Sequence, residues 1–165
     1  MSRQSQVVAA TPALRVLGLA GIEYSVHEYE HDPRARRYGG EAAEKLGVDP
    51  HRVFKTLHIL VDAQPVSALV PVSGQLDLKA LASAAGGKKA TLAGVAEAER
   101  RTGYTAGGMS PFGQRTSTPV FVDESVSGHD TVFISAGRRG MEIEMRPGDL
   151  LMLTNASVGR IAQLD

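Results

Sequence analysis

The sequence predicts a single α+β domain built around a curved, mixed β-sheet. Short helical signals are interspersed with many short strand patterns, and the regular strand–helix–strand alternation of a doubly wound fold is missing. The segment 53–61 is largely apolar on both faces, as a central strand requires. No repeat, low-complexity tract or linker-like stretch divides the 165 residues, a length that favours one domain able to bury its own core.

The elements follow in order. Residues 1–10 read as a loose tail, leaving 11–165 as the folded domain. Thr11-Pro12 has the form of an N-cap followed by proline at the first helical position, Leu14 and Leu17 share a face, and Gly18 or Gly21 can end the helix. Ile22, Tyr24 and Val26 alternate with Glu23, Ser25 and His27, a half-buried strand that Asp32-Pro33 breaks. A short helix is predicted from Glu41 to Leu46, stopped by Gly47. Strands follow at 53–61 and 66–72. Leu78, Leu81 and Ala85 mark a helix capped by Asp77 and closed by Gly86-Gly87, and 94–101 suggests another. The last third predicts strands at 119–122, 131–135 and 141–145, then a short helix from Pro147.

Composition narrows the function classes. Eighteen basic residues against eighteen acidic ones give a formal net charge of zero, which argues against a protein that coats DNA. The absence of cysteine removes a disulfide framework, a cysteine-ligated metal and a cysteine nucleophile. Apolar runs such as LHILV (57–61) fall far short of the ~20 residues of a membrane helix. The N-terminus lacks a hydrophobic signal core, so a cytoplasmic location and no membrane partner are expected.

Two motif matches are decoys. His27-Glu28-Tyr29-Glu30-His31 fits H-E-x-x-H, but zinc chemistry needs that spacing on a helix, and here it continues a strand into Asp-Pro. Gly108 and Gly113 have P-loop spacing without the Lys-Ser/Thr pair that phosphate binding requires. No metal or cofactor is expected. Lys55 is the real anomaly. Period-2 spacing puts it with Val53, Leu57, Ile59 and Val61 on an aliphatic face. It either snorkels at a sheet edge, pairs with a buried carboxylate, or projects into a cleft to meet a phosphate or a developing negative charge. The glycine-rich stretch Gly103–Pro111 can supply backbone N–H groups to such a cleft. Ser135-Ala136-Gly137-Arg138-Arg139-Gly140 brings a hydroxyl and two arginines to a strand end; alternatively it is a hairpin turn with solvated charges.

Taken together, YEHDP (29–33), VFKTL (53–57), PVSGQLDLK (71–79), RTGYTAGGMSPFGQ (101–114) and SAGRRGMEIE (135–144) resemble, in order and spacing, the YbaK family of free-standing aminoacyl-tRNA editing proteins, relatives of the editing domain of bacterial prolyl-tRNA synthetase. Within the family the chain is most similar to the Cys-tRNA(Pro) deacylase branch. The resemblance implies a barrel-like mixed sheet flanked by short helices and a pocket for the acceptor end of a mischarged tRNA, with prolyl-tRNA synthetase as partner by analogy. The family's functional lysine falls on Lys55, its pocket tyrosine on Tyr29, its G-x-x-x-P loop on Gly107 to Pro111 and its strand-end serine on Ser135. Tyr38 stands where phenylalanine is more usual, Ala136 where glycine is common, and Glu142 where that branch commonly has aspartate. The expected site therefore comprises Lys55 with the Gly107 and Gly108 backbone for the oxyanion, Tyr29, Tyr38, Pro111, Ser135, Gly137 and Glu142 around the substrate, and Lys88, Lys89, Arg138 and Arg139 toward tRNA phosphates. The implied reaction has the substrate's own thiol attack its ester carbonyl. Deacylation of Ala-tRNA(Pro) by a bound water and a non-catalytic binding module are the alternatives.

Overall fold

The computed structural model describes residues 11–35 and 38–164; the expected tail at 1–10 lies outside them. Helix α1 spans Pro12–Ala20, strand β1 Tyr24–Glu28 and helix α2 Tyr38–Leu46. Strands β2 (Val53–Val61), β3 (Gln64–Pro71) and β4 (Gly74–Leu76) precede α3 (Leu78–Ala84), β5 (Ala90–Leu92) and α4 (Val95–Thr102). Strands β6 (Val120–Asp123), β7 (Val132–Arg138) and β8 (Met141–Met145), helix α5 (Pro147–Thr154), and strands β9 (Ser157–Gly159) and β10 (Ala162–Leu164) complete the chain.

Local chemistry explains most boundaries. Thr11 caps α1 by accepting from the Leu14 N–H at 3.2 Å, and its hydroxyl donates to the Ala136 carbonyl at 2.6 Å, fastening the helix to β7. Gly21 closes the helix at φ 68°. Asp77 caps α3 through the Ala80 N–H. Helix α2 begins three residues before the expected Glu41, and β3 two before Val66. The three-residue strands β4, β5, β9 and β10 were not expected, because so short a segment carries no periodicity.

The main sheet runs β1-β8-β7-β2-β3-β6-β9, with β5 joining β2 separately. Strand β2 pairs antiparallel with β3 from Phe54 to Val61 on one edge. Along its other edge it pairs with β7 only at Val53 and Phe54, and with β5 only from Ile59 to Val61. The sheet therefore splits beside 55–58.

Its two faces have separate cores. One face packs Phe54, Leu69, Ile134 and Ile143 against Leu14 and Leu17 of α1 and Leu150 of α5. On the other face, Val53, Val72 and Phe133 meet Ala42 and Ala43 of α2. Further along the same face, Ile59, Val61 and Val70 meet Leu81 and Ala82 of α3. Lys55 falls between these last two clusters, in the seam between α2 and α3.

The C-terminal strands are tied in by Asp123, which is 2% exposed. Its carboxylate accepts from the N–H groups of Ile161 and Ala162 at 3.0 and 2.9 Å and from Ser125 at 3.1 Å. Asp123→Ala leaves the buried Ile161 N–H without an acceptor and is expected to lower stability by about 2–3 kcal/mol in urea unfolding, with Asp123→Asn losing roughly half as much.

Candidate active site

Residues two apart on a strand share a face, and residues directly paired across strands share it too. Val53 pairs with Phe133 and Ser135 with Glu142, so Lys55, Ser135 and Glu142 form a row across β2, β7 and β8. The row is the floor of a cleft of about 760 Å³ between α2 and α3. Tyr38 and Gly40 line the α2 side, Leu57, Leu76, Leu78 and Leu92 form an apolar wall, and Gly107 and Met109 border it from the glycine-rich loop.

Glu142 is 6% exposed, and burial pushes its carboxyl up to about 8, so at neutral pH it is predominantly a neutral acid. Tyr29 packs against the α2 cluster, and its phenol is raised to about 12 by burial and then by the Glu142 charge, which places the ring beside the floor without lining the cleft. Its N–H donates to Gly140 at 2.9 Å. The loop after Tyr29 is clipped to α2 by Glu41, whose carboxylate meets His31 Nδ1 at 2.7 Å and the Asp32 N–H at 2.8 Å. Burial alone would raise the Glu41 carboxyl, but these bonds and Lys45 outweigh it and hold it below the ordinary range. The two histidines of H-E-x-x-H thus meet different carboxylates, since His27 Nε2 lies 2.9 Å from Glu144.

The glycine-rich loop is held by a β-turn in which the Gly108 N–H donates to the Thr105 carbonyl at 2.9 Å and Gly107 adopts φ 84°. A Cβ on Gly107 would lie 2.6 Å from the Tyr38 ring. That ring is covered on a face by the Arg139 guanidinium, 4.5 Å from its centroid, and Arg139 Nε donates to Ala106 at 2.6 Å. Tyr38, Gly107 and Arg139 are therefore one assembly that fixes the loop at the cleft.

The remaining expected residues are placed as follows. The Gly108 N–H is engaged in the turn bond to Thr105 in this geometry. Gly137, at φ 102°, sits in the bulge of β7, where a Cβ would meet the Tyr104 ring at 2.7 Å. Pro111 borders a separate cavity of about 220 Å³ with Phe112 and Gln114. Arg138 is exposed. Lys88 and Lys89 are exposed beside the β2–β3 hairpin, their N–H groups donating to Asp62. The apolar wall and Thr56 also escaped sequence reading, although Thr56 stands next to Lys55 in VFKTL and Leu76 and Leu78 lie inside PVSGQLDLK.

The fold is a curled half-barrel sheet whose cleft holds a lysine, a hydroxyl and a protonated carboxyl, with no histidine among the described lining residues and no cysteine in the chain. The aminoacyl-tRNA editing domain family matches residues 33–153, and the chain belongs to it. It is 37% identical over 153 residues to "Putative Cys-tRNA(Pro)/Cys-tRNA(Cys) deacylase EbsC" of Enterococcus faecalis, covering 92% of both chains. The crystal structure of "a putative trans-editing enzyme for prolyl tRNA synthetase" superposes with a TM-score of 0.80 at 27% identity, over 93% of this chain and 98% of that one. The hypothetical protein APE2540 shares the fold, with a TM-score of 0.82 at 24% identity over 93% of this chain and all of its own. The chain is thus an aminoacyl-tRNA editing-domain protein. No helix among the described residues is long and apolar enough to cross a membrane.

Two outcomes are expected. Glu142→Gln removes a group whose folded pKa lies above its unfolded value of 4.5. The wild type loses stability relative to this variant as pH rises from about 4.5 toward 8, because its native state holds a proton that its unfolded state releases. Thermal melts should show the variant's Tm gaining several degrees on the wild type between pH 5 and pH 8; a pH-independent offset contradicts the assignment. Gly107→Ala forces a Cβ against Tyr38 at a left-handed φ, and single-turnover deacylation should fall at least tenfold while far-UV circular dichroism is retained.

Proposed function

We propose that the cleft removes cysteine from Cys-tRNA(Pro), and that Cys-tRNA(Cys) is a second substrate. The observation that carries this is the composition of the lining: Lys55, Ser135 and Glu142 share the floor, and among the described residues no nucleophile–base pair of cysteine or histidine type stands beside them. A site built this way acts by positioning and by stabilising charge, and the substrate brings its own nucleophile. The cysteinyl thiolate attacks its ester carbonyl, the carbon–oxygen bond to the terminal ribose breaks, the departing oxygen takes a proton, and a cyclic thiolactone leaves with free tRNA. The thiol's pKa near ~8.5 provides thiolate at neutral pH where a seryl hydroxyl provides almost none, so chemistry discriminates between near-isosteres that a pocket separates by only about 1–3 kcal/mol. The name of the Enterococcus faecalis relative, a Cys-tRNA(Pro)/Cys-tRNA(Cys) deacylase, supports cysteine as the amino acid. The trans-editing description of the structural relative supports action beside prolyl-tRNA synthetase, and a cytoplasmic location belongs to the same reading.

In this reading Lys55 holds the terminal phosphate or the aminoacyl end, Tyr38 and Gly107 shape the cleft's edge, and Ser135 and Glu142 contact the substrate from below. A neutral Glu142 can donate a hydrogen bond without repelling an oxyanion. The folded unit is residues 11–165, with Arg138 and Arg139 on the side that faces tRNA.

The test is single-turnover deacylation of Cys-, Ala- and Ser-tRNA(Pro) by wild type and Lys55→Ala. Loss of cysteine alone, with thiolactone as first product and at least a hundredfold slower turnover in the variant, is expected. Preferential loss of alanine would replace the thiol mechanism with a water-using one. Binding without cleavage of any ester would make the protein a binding module.

A further inference from the structure

The split in the sheet leaves one main-chain hydrogen-bonding pair facing the cleft. The Val53 carbonyl accepts from the Val72 N–H, so odd-numbered residues of β2 address β3. The His58 carbonyl accepts from the Ala93 N–H at 3.1 Å, so even-numbered residues address the opposite edge. On that edge Phe54 is matched by Ile134 of β7, and β5 begins opposite Ile59. Thr56 lies between them. Its N–H and C=O point into the gap, Thr56 lines the cleft, and neither β7 nor β5 reaches it among the described residues. Main-chain groups in sheets are rarely left without partners, and an open strand edge is a template for another extended backbone.

We infer that the Thr56 main chain docks the aminoacyl end of the substrate as one rung of an antiparallel sheet. The inference rests on the editing reading above. In an antiparallel hydrogen-bonded pair, two residues exchange both bonds, N–H to C=O in each direction. An aminoacyl ester carries the same two groups on one residue: an α-ammonium that donates and an ester carbonyl that accepts. The ammonium donates to the Thr56 C=O, and the ester oxygen accepts from the Thr56 N–H. The gap is one such rung wide, which suits a single amino acid and not a longer peptide. The same N–H then faces the oxygen on which negative charge develops when the carbonyl is attacked, while the Gly108 N–H is engaged in its turn bond. The docking selects a free α-amino group, so an aminoacyl-tRNA is bound and its deaminated counterpart is discriminated against.

The experiment follows the Thr56 amide by hydrogen exchange in the ¹⁵N-labelled full chain. The ligands are 3′-cysteinylamino-3′-deoxyadenosine, whose amide resists cleavage, and its 3-mercaptopropionyl counterpart, which keeps the thiol and lacks the α-amino group. The Thr56 amide should exchange rapidly in the free protein and at least tenfold more slowly with the first ligand, and the second should bind at least tenfold more weakly. Replacing the Thr56 amide by an ester through the α-hydroxy acid should slow single-turnover deacylation by 10- to 100-fold. If the first ligand shifts the Gly107 and Ser135 amides but leaves Thr56 exchange unchanged, the docking inference is wrong and the editing reading stands. A Thr56 amide already protected in the free protein has the same consequence. If neither ligand binds at millimolar concentration, the editing reading falls and takes this inference with it.

Discussion

Strand β2 is fully paired along one edge and paired only at its two ends along the other, and the organisation of the cleft depends on that asymmetry. A complete sheet would bury its centre under helices on both faces, as Phe54 at the start of β2 is buried with residues of α1 and α5. Where β7 bends away at its bulge and β5 has not yet begun, helices α2 and α3 pack over separate stretches of the opposite face. Between those stretches a polar side chain can rise from the strand without displacing a packed core. Lys55 occupies that position, so its rigidity comes from the most extensively paired strand while its surroundings come from a break in the sheet.

The electrostatics of the cleft follow from the same arrangement. Ser135 and Glu142 reach the floor because β7 and β8 continue the row set by β2, and the depth that shields Glu142 from water also keeps it protonated. An ionised carboxylate in the floor would oppose both a phosphate and a developing oxyanion; a neutral acid does not. At the rim, Arg139 is occupied in covering Tyr38 and holding Ala106, so its charge is combined with a positioning task. The neighbouring Arg138 is exposed and has no such duty toward the loop.

Much of this was legible from sequence, for identifiable reasons. Alternation in β1, the double apolar pattern of β2 and the caps Thr11 and Asp77 are local signals, and each appears where local chemistry dictates. Lys55 was conspicuous because a charge on an aliphatic period-2 face violates the expected pattern, and such violations concentrate at functional sites. The packing of Gly137 against Tyr104 and the turn bond of Gly108 were not legible, since a glycine closed in by a ring or engaged in a turn looks in sequence like any other glycine of a loop. Nor was the Tyr38–Arg139 stack, whose partners are 101 positions apart by their numbering, or the gap beside Thr56, which arises from where β7 and β5 stop. A strand pattern tells which side chains share a face, and it carries no information about which backbone edge is left open.

The absence of net charge bears on how such a site finds its substrate. A chain with eighteen charges of each sign has no overall field to steer a polyanion, so recognition of tRNA must be local to the cleft and its rim. A local site has limited means of telling one tRNA from another. What it can read closely is the end it encloses, the terminal sugar and the attached amino acid. Under the proposed reading, selectivity resides in groups that meet that end and in the reactivity the amino acid itself brings, and tRNA identity is left to a protein that holds the rest of the molecule. A small domain with a polar floor, an apolar wall and a rigid central strand suits that division of labour, because all three features act within the reach of one aminoacylated nucleotide.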